Sequence, residues 1–395
     1  MITSIRLKNF KNFADETLRV GLFTILVGAN ASGKSNIRDA FRILSGIGRG
    51  YTLAEILGGK REAGWQPIRG AMNEIIRFGQ EEFSIEVGLE LNETEFHYSI
   101  TVGHVPFGGF RVTQEDLTAE STPIYTARQD SGGLRVEVKG NKVFHRSSKP
   151  ILARDLPSHA PDSVAVQSIL SNLRFLELSP ERMREPAFPG ATVLGDSGEN
   201  LPVVLREICA DPKRQEILAS WIAELTPMDV MGFEFPVDPS GRVHLTLCEA
   251  NGSKVSAYSA SDGTLRFLAM LAVLLGENPS GLYFFEEIDT GIHPARQWLL
   301  LELIEKQAAK NNIQVITTTH SPDLLTFVND STFEHLSVVC RLEDAQDAII
   351  RPVAELPNAK KLRKSQGLGK LLTGAWMEDM LAFTEDDNDA EGGGE

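Results

Sequence analysis

An α/β fold, a mixed β-sheet with parallel core strands, is predicted from three features of the sequence. The apolar end of "TLRVGLFTILVG" passes through a Gly-rich loop into residues at helical spacing. Residues 263–318 read helix, strand, helix, strand, the alternation of βαβ units. Residues from about 50 to 170 instead alternate apolar and polar positions between Gly, Asn and Asp turns, so the core carries a β-rich elaboration.

Taken in order, "SIRLKNF" and the run ending at Val27 read as strands, the second buried on both faces. Ile37, Ala40, Phe41 and Leu44 then recur on one helical face, and residues 1–50 form the first part of the core lobe. "FSIEVGLEL", "FHYSITVG" and "LRVEVKGNKVFH" carry the strand pattern through 51–170. From "DSVAVQSIL" to "LASWIAEL" (162–224) the spacing is helical, broken by the Pro- and Gly-rich "SPERMREPAFPGATVLGDSGENLP". Residues 171–232 are therefore expected to form a helical lobe with a mobile entry loop. Strands return in "FEFPVD" and "RVHLTLCEA", before helix 263–276, strand 281–286, helix 295–309 and strand 313–318. These place the rest of the core lobe at 233–355. Residues 356–395 form an extension whose end, "TEDDNDAEGGGE", is acidic and Gly-rich and is expected to be disordered.

The composition is that of an ordinary globular protein, 42% hydrophobic and 24% charged over 395 residues. A formal net charge of −15 argues against uniform coating of nucleic acid, while leaving room for a local basic groove. Cys209, Cys248 and Cys340 are widely spaced and form no metal-binding pattern, which suits a reducing cytoplasm. No apolar signal segment opens the chain, and the longest apolar run, "FLAMLAVLL", is too short to span a membrane. A cytoplasmic protein is expected.

"GANASGKSN", residues 28–36, has the spacing of a phosphate-binding loop, set between a strand and a helix as that motif requires. Gly28 and Gly33 let the backbone curl its N–H groups toward phosphate oxygens, and the helix start adds partial positive charge. Lys34 would reach the β- and γ-phosphates, and the Ser35 hydroxyl would bind Mg²⁺. Asn30 and Asn36, inside the same stretch, complete the candidate nucleotide contacts.

Such a loop needs an acidic strand end to hold the metal and activate water. In "GLYFFEEIDTGIHP" the apolar residues Leu282–Phe285 end in Glu286, placed to support Mg²⁺, and Glu287, placed to act as general base. "VITTTHSPDLL" is a β-branched strand ending in His320, which can hydrogen-bond a γ-phosphate and sense its presence. "SASDGTLRFLAML" sets Ser261, Asp262 and Gly263 at the start of an apolar helix, either as a plain N-cap or as a second anion site that serves another protomer.

This order of motifs resembles the ATP-binding-cassette (ABC) type ATPase head of the SMC, RecF and OLD families, a P-loop NTPase fold. Within it the chain is similar to the stand-alone bacterial AAA family ATPases related to OLD nucleases. The specific motifs lie in the first 50 residues and between about 170 and 325. The resemblance implies that "LKNFKNF" is the family's opening strand, with Phe10 and Lys11 near the adenine. It implies that Ser261 and Gly263 touch the γ-phosphate of the opposite protomer, that Glu287 is the catalytic carboxylate, and that His320 is the switch histidine. A glutamine is common in the loop entering the helical lobe. "LELSPERMREP" (176–186) stands there instead, with Glu181 as the nearest polar substitute. Two chains would sandwich two ATP molecules head to tail.

Three functions compete on these residues. An Mg²⁺-dependent ATPase working as a homodimer or higher homo-oligomer would couple ATP to DNA-related work, in anti-phage defence or repair. OLD relatives carry a nuclease domain after the ATPase, whereas about 70 residues follow His320 here without the acidic set such a domain needs. A separately encoded, nuclease-like effector is then the natural partner. The alternative is an ATP-gated clamp or sensor with slow, incidental hydrolysis. A GTP switch would show Asn-Lys-x-Asp, and "NKVF" at 141–144 lacks the aspartate. For the basic run "NAKKLRKSQGLGK" (358–370), DNA contact and a solvated helix face both stay open.

Overall fold

The computed structural model describes residues 1–58, 68–70, 74–105, 109–138, 140–154, 161–225, 230–276, 279–341, 347–373 and 376–377. The acidic tail at 384–395, expected to be disordered, lies outside the described residues. Two compact units divide the chain: residues 1–173 with 330–395, and residues 174–329.

The first unit opens with β1 (Ile2–Phe10), β2 (Phe13–Arg19) and β3 (Phe23–Val27). It continues with β4 (Glu82–Leu91), β5 (Thr94–His104), β6 (Phe110–Ala119), β7 (Thr122–Asp130), β8 (Gly133–Val138) and β9 (Asn141–His145). Eight of them form one antiparallel sheet in the order β2-β1-β4-β5-β6-β7-β8-β9. Alternation drives it: Ile5, Leu7, Ile85, Tyr98 and Ile100 are buried while their neighbours in sequence are exposed or half-buried. The β-rich elaboration is therefore real, and it incorporates the opening hairpin.

β3 is different in kind. All five of its residues are buried, as expected of a strand covered on both faces. The phosphate-loop helix, Lys34–Gly48, follows directly and is buried along almost its whole length.

In the second unit, β10 (Leu173–Leu176), β14 (Leu282–Phe285) and β15 (Gln314–Thr319) are neighbours in that order, with β11 (Val230–Glu234), β12 (Thr246–Glu249) and β13 (Lys254–Ser256) forming a separate antiparallel sheet. β14 and β15 are parallel, with Leu282 opposite Gln314, and the helix Gln297–Asn311 connects them. Helices Leu201–Cys209, Pro212–Leu225 and Asp262–Leu274 complete the unit. Back in the first unit, β16 (Leu336–Arg341) runs parallel to β3, and β17 (Ala348–Pro352) is antiparallel to β16. The protein is thus a mixed α/β fold with both parallel and antiparallel strands, as the sequence predicts.

Two readings need correction. The helical stretch 162–224 is interrupted by β10, four residues too short to show a period of two, whose Phe175 stacks on Phe284 with centroids 6.4 Å apart. The Pro- and Gly-rich stretch is tied down: Glu177 N–H donates to the Asp196 carbonyl at 2.9 Å, Ser179 N–H to the Ser197 carbonyl at 3.0 Å, and the Asn200 amide to the Val193 carbonyl at 2.8 Å. Among the described residues no helix is long and apolar enough to cross a membrane.

Candidate functional site

The phosphate loop belongs to the first unit. Gly28, directly after β3, has φ 147°, and a Cβ there would lie 1.9 Å from the Val339 carbonyl of β16, so no side chain is tolerated. Gly33 (φ 119°) is the N-cap of the following helix and offers no capping side chain, and the first turn holds no acidic residue. A helix start without a cap or a nearby carboxylate keeps its partial positive charge for an external anion, the condition a phosphate group requires. Lys34 is buried, and its Nζ donates to the carbonyls of Gly28 and Ala29 at 2.7 Å each. Asn30 is exposed, whereas Ser35 and Asn36 are half-buried.

Lys11 lies in the turn between β1 and β2. Its ammonium donates to the carboxylate of Asp39, on the phosphate-loop helix, and to the Arg69 carbonyl at 2.9 Å. Its charge is engaged within the chain, which sequence reasoning, placing it near an adenine with Phe10, did not foresee. Phe10 is fully buried and packs on Phe83, with centroids 5.3 Å apart.

The other candidates belong to the second unit. Glu286 and Glu287 follow β14, the first half-buried and the second exposed. Glu287 has φ 47°, a left-handed conformation that a non-glycine residue holds only when its surroundings impose it. Thr318 of β15 imposes it, accepting the Glu287 N–H on its hydroxyl at 3.0 Å and the Ile288 N–H on its carbonyl at 3.4 Å. Thr290 donates to the Glu287 carboxylate at 3.3 Å. His320 is exposed at the end of β15. The next residue, Ser321, caps a short helix and donates to Gln297 at 3.0 Å, at the start of the helix Gln297–Asn311.

Ser261 is the N-cap of Asp262–Leu274, its Oγ accepting the Thr264 N–H at 3.1 Å. Ser261 and Asp262 are exposed. A Cβ on Gly263 would lie 2.0 Å from the Gly291 carbonyl, so the helix start abuts the loop that follows the two glutamates. Arg184 donates to the Asp262 carboxylate at 2.6 Å and to the Ala260 carbonyl at 3.0 Å. Glu181, in the short helix Pro180–Met183 just before Arg184, is exposed.

The candidate residues therefore fall into two sets, one in each unit. Ser35 and Glu286 offer a hydroxyl and a carboxylate, the hard oxygen donors that Mg²⁺ takes. Among the described residues no group of three His, Cys, Asp or Glu could hold a metal by itself. Four residues that matter to the geometry escaped sequence reasoning: Asn12, Arg184, Gly291 and Thr318. Each acts through a contact distant in sequence, and nothing in local spacing marks it.

Residues 23–326 match the family described as "AAA domain, putative AbiEii toxin, Type IV TA system". The chain is 23% identical over 376 residues to a Helicobacter pylori protein described as an ATP/GTP phosphatase, covering 89% of this chain and 95% of that one. Among solved structures, an SMC head bound to the C-winged helix domain of ScpA is 16% identical with a TM-score of 0.50, covering 89% and 97% of the two chains. The SMC head domain of Thermotoga maritima is 15% identical with a TM-score of 0.45, covering 89% and 98%.

Proposed function

The chain belongs to this AAA-domain ATPase family, and from that premise we propose that it binds and hydrolyses ATP with Mg²⁺ as a head-to-tail pair of copies. The observation that carries the proposal is the helix start at Gly33, uncapped, free of acids and followed by the buried Lys34.

Bound Mg·ATP would supply the transferable phosphoryl group and a cation that neutralises charge on it. Around it, the backbone from Gly28 to Gly33 and the Lys34 ammonium hold the β- and γ-phosphates, with Asn30 and Asn36 beside them. Ser35 and Glu286 would hold the cation, through a hydroxyl and a carboxylate. Glu287 orients a water and takes its proton, a role that favours a carboxylate fixed by its own backbone, as the Thr318 contacts fix this one. His320 donates a hydrogen bond toward the γ-phosphate. Ser261 and Gly263 reach the γ-phosphate of the second copy, so ATP joins the copies and hydrolysis releases them.

The work so driven is DNA-related, in defence against phage or in repair, through a separately encoded nuclease-like effector. The family's description as a putative toxin of a type IV system is in keeping with a partner encoded apart. Co-purification of the chain with the product of its neighbouring gene tests this part, and a chain that elutes alone argues against it.

The enzymatic core is tested by light scattering on Glu287→Gln with and without Mg·ATP, with Ser261→Arg as control. Mass should double with ATP and fail to do so in Ser261→Arg. A mass indifferent to ATP would refute the head-to-tail reading.

A further inference from the structure

Four anchors hold the turn between β1 and β2. Asn9 and Lys11 both have φ 52°, a conformation that side-chain-bearing residues disfavour and that surrounding contacts must maintain. Lys11 N–H donates to the Ile75 carbonyl at 2.9 Å, and its ammonium reaches Asp39 and the Arg69 carbonyl. The carbonyl of Asn12 accepts from Ala348 N–H, at the start of β17, at 2.7 Å. Three separate parts of the first unit therefore fix where the Asn12 side chain sits.

That side chain lies against the phosphate loop. Its Oδ1 accepts a hydrogen bond from the Asn36 amide at 2.6 Å. Its Nδ2 lies 3.5 Å from the Ser32 carbonyl and 2.9 Å from where a Cβ on Gly33 would be. One carboxamide thus touches Ser32, Gly33 and Asn36, the residues on either side of Lys34 and Ser35.

We infer that Asn12 is a positioning residue that holds the phosphate loop in its binding shape from outside the motif, while Lys11 anchors the turn through Asp39 instead of reaching the nucleotide. Asparagine suits the task because one short side chain both accepts and donates, and the loop presents an amide donor on one side and a carbonyl on the other. Pre-set loop geometry appears as affinity, since the ordering cost is met before the ligand arrives. Lys11 is not available to a nucleotide without stranding Asp39, whose side chain is 1% exposed.

The inference rests on the nucleotide-binding reading above, and the experiment separates the two. Full-length protein is titrated with the fluorescent analogue mant-ATP, comparing wild type, Lys34→Ala, Asn12→Ala, Asn12→Leu, Asn36→Ala and the Asn12→Ala/Asn36→Ala pair. Melting temperatures and the kcat and KM of hydrolysis are measured alongside. Wild-type binding that is lost in Lys34→Ala upholds the site; a wild type that does not bind removes the site and the brace with it. Given a site, Asn12→Ala and Asn12→Leu should each weaken binding about ten-fold, the scale of one or two lost hydrogen bonds. The loss in the double variant should be smaller than the sum of the two single losses, because both changes break the Asn12–Asn36 contact. KM should rise more than kcat falls, with little change in melting temperature. Wild-type affinity in both Asn12 variants, or fully additive losses in the pair, overturns the inference. If Asn12→Ala does not fold, Asn12→Leu, similar in size and uncharged, decides alone.

Discussion

Lys11→Met tests whether the ammonium serves the fold or the nucleotide. Asp39 is fully buried, and its Oδ2 meets the Lys11 ammonium. The other carboxylate oxygen lies 3.9 Å from the Arg38 guanidinium, too far for a hydrogen bond. Methionine keeps most of the lysine stem and removes its charge, leaving a buried carboxylate with one distant cation. Breaking a buried pair from one side costs about 3–5 kcal/mol, because the remaining charge has lost its compensation. At about 2–4 °C per kcal/mol for a unit of this size, melting should fall by about 6–20 °C. Asp39→Asn in the Lys11→Met background removes the stranded charge and should recover most of that loss, since replacing both ions is often close to neutral. The assay is thermal unfolding followed by circular dichroism, with mant-ATP affinity measured well below the transition. Melting of Lys11→Met within about 2 °C of wild type would refute the pairing argument, being at most about a third of the smallest shift it allows. A stable Lys11→Met that has lost affinity, with no recovery on adding Asp39→Asn, would return Lys11 to the nucleotide.

Three further outcomes follow from single contacts. Gly263→Ala would force a methyl group to 2.0 Å from the Gly291 carbonyl, so the variant should lose about 2 kcal/mol or more in urea unfolding, as overpacked sites do; unchanged stability would mean the helix start can shift. Glu115 is fully buried and accepts from the Tyr98 and Tyr125 hydroxyls at 3.1 and 2.9 Å and from the Ile151 and Leu152 N–H groups at 2.6 and 2.8 Å. In Glu115→Gln an amide NH₂ replaces one acceptor among these donors, and the melting temperature should fall by the equivalent of about 1–3 kcal/mol. Burial pushes the Cys209 thiol up to about 12, so iodoacetamide should label it slowly at pH 8 and about ten-fold faster for each unit of rising pH while the fold persists; fast labelling at pH 8 would contradict the burial.

The phosphate loop, the strand that ends before Glu286 and the strand that ends before His320 were legible as elements because each is local. Short runs of four to six residues, buried throughout, end just before the polar residue of interest: β3 and β14 are almost wholly apolar, and β15, Gln-Val-Ile-Thr-Thr-Thr, is marked by its β-branched residues instead. β10 and β13 were missed, at four and three residues, because alternation needs more length to register. The fate of Lys11 was hidden for another reason. Its position after "LKNF" pointed to a nucleotide, and only the fold brings Asp39, 28 residues away, against it. Asn12, Arg184 and Thr318 were illegible on the same grounds: their side chains belong to common types, and distant backbone decides what they touch.

Within the second unit these distant contacts join the candidate groups into one mechanical body. Thr318 holds the backbone of Glu287 and Ile288, so β15, which ends one residue before His320, cannot shift along β14 without altering the Glu287 turn. The loop beyond that turn runs through Gly291, whose carbonyl meets Gly263 with no space for a side chain. Arg184 clamps the same helix start through Asp262, and Ser321 binds Gln297, the first residue of the helix after the loop. A push on any one of these four places is therefore passed to the others by close packing and hydrogen bonds, since packed backbone offers little room for independent adjustment. Under the proposed roles of His320 and Ser261, a γ-phosphate would meet the same set of contacts that holds the Glu287 turn. Glu287 keeps its left-handed backbone, φ 47°, because those contacts impose it, so a change in them falls on a conformation with little tolerance of its own.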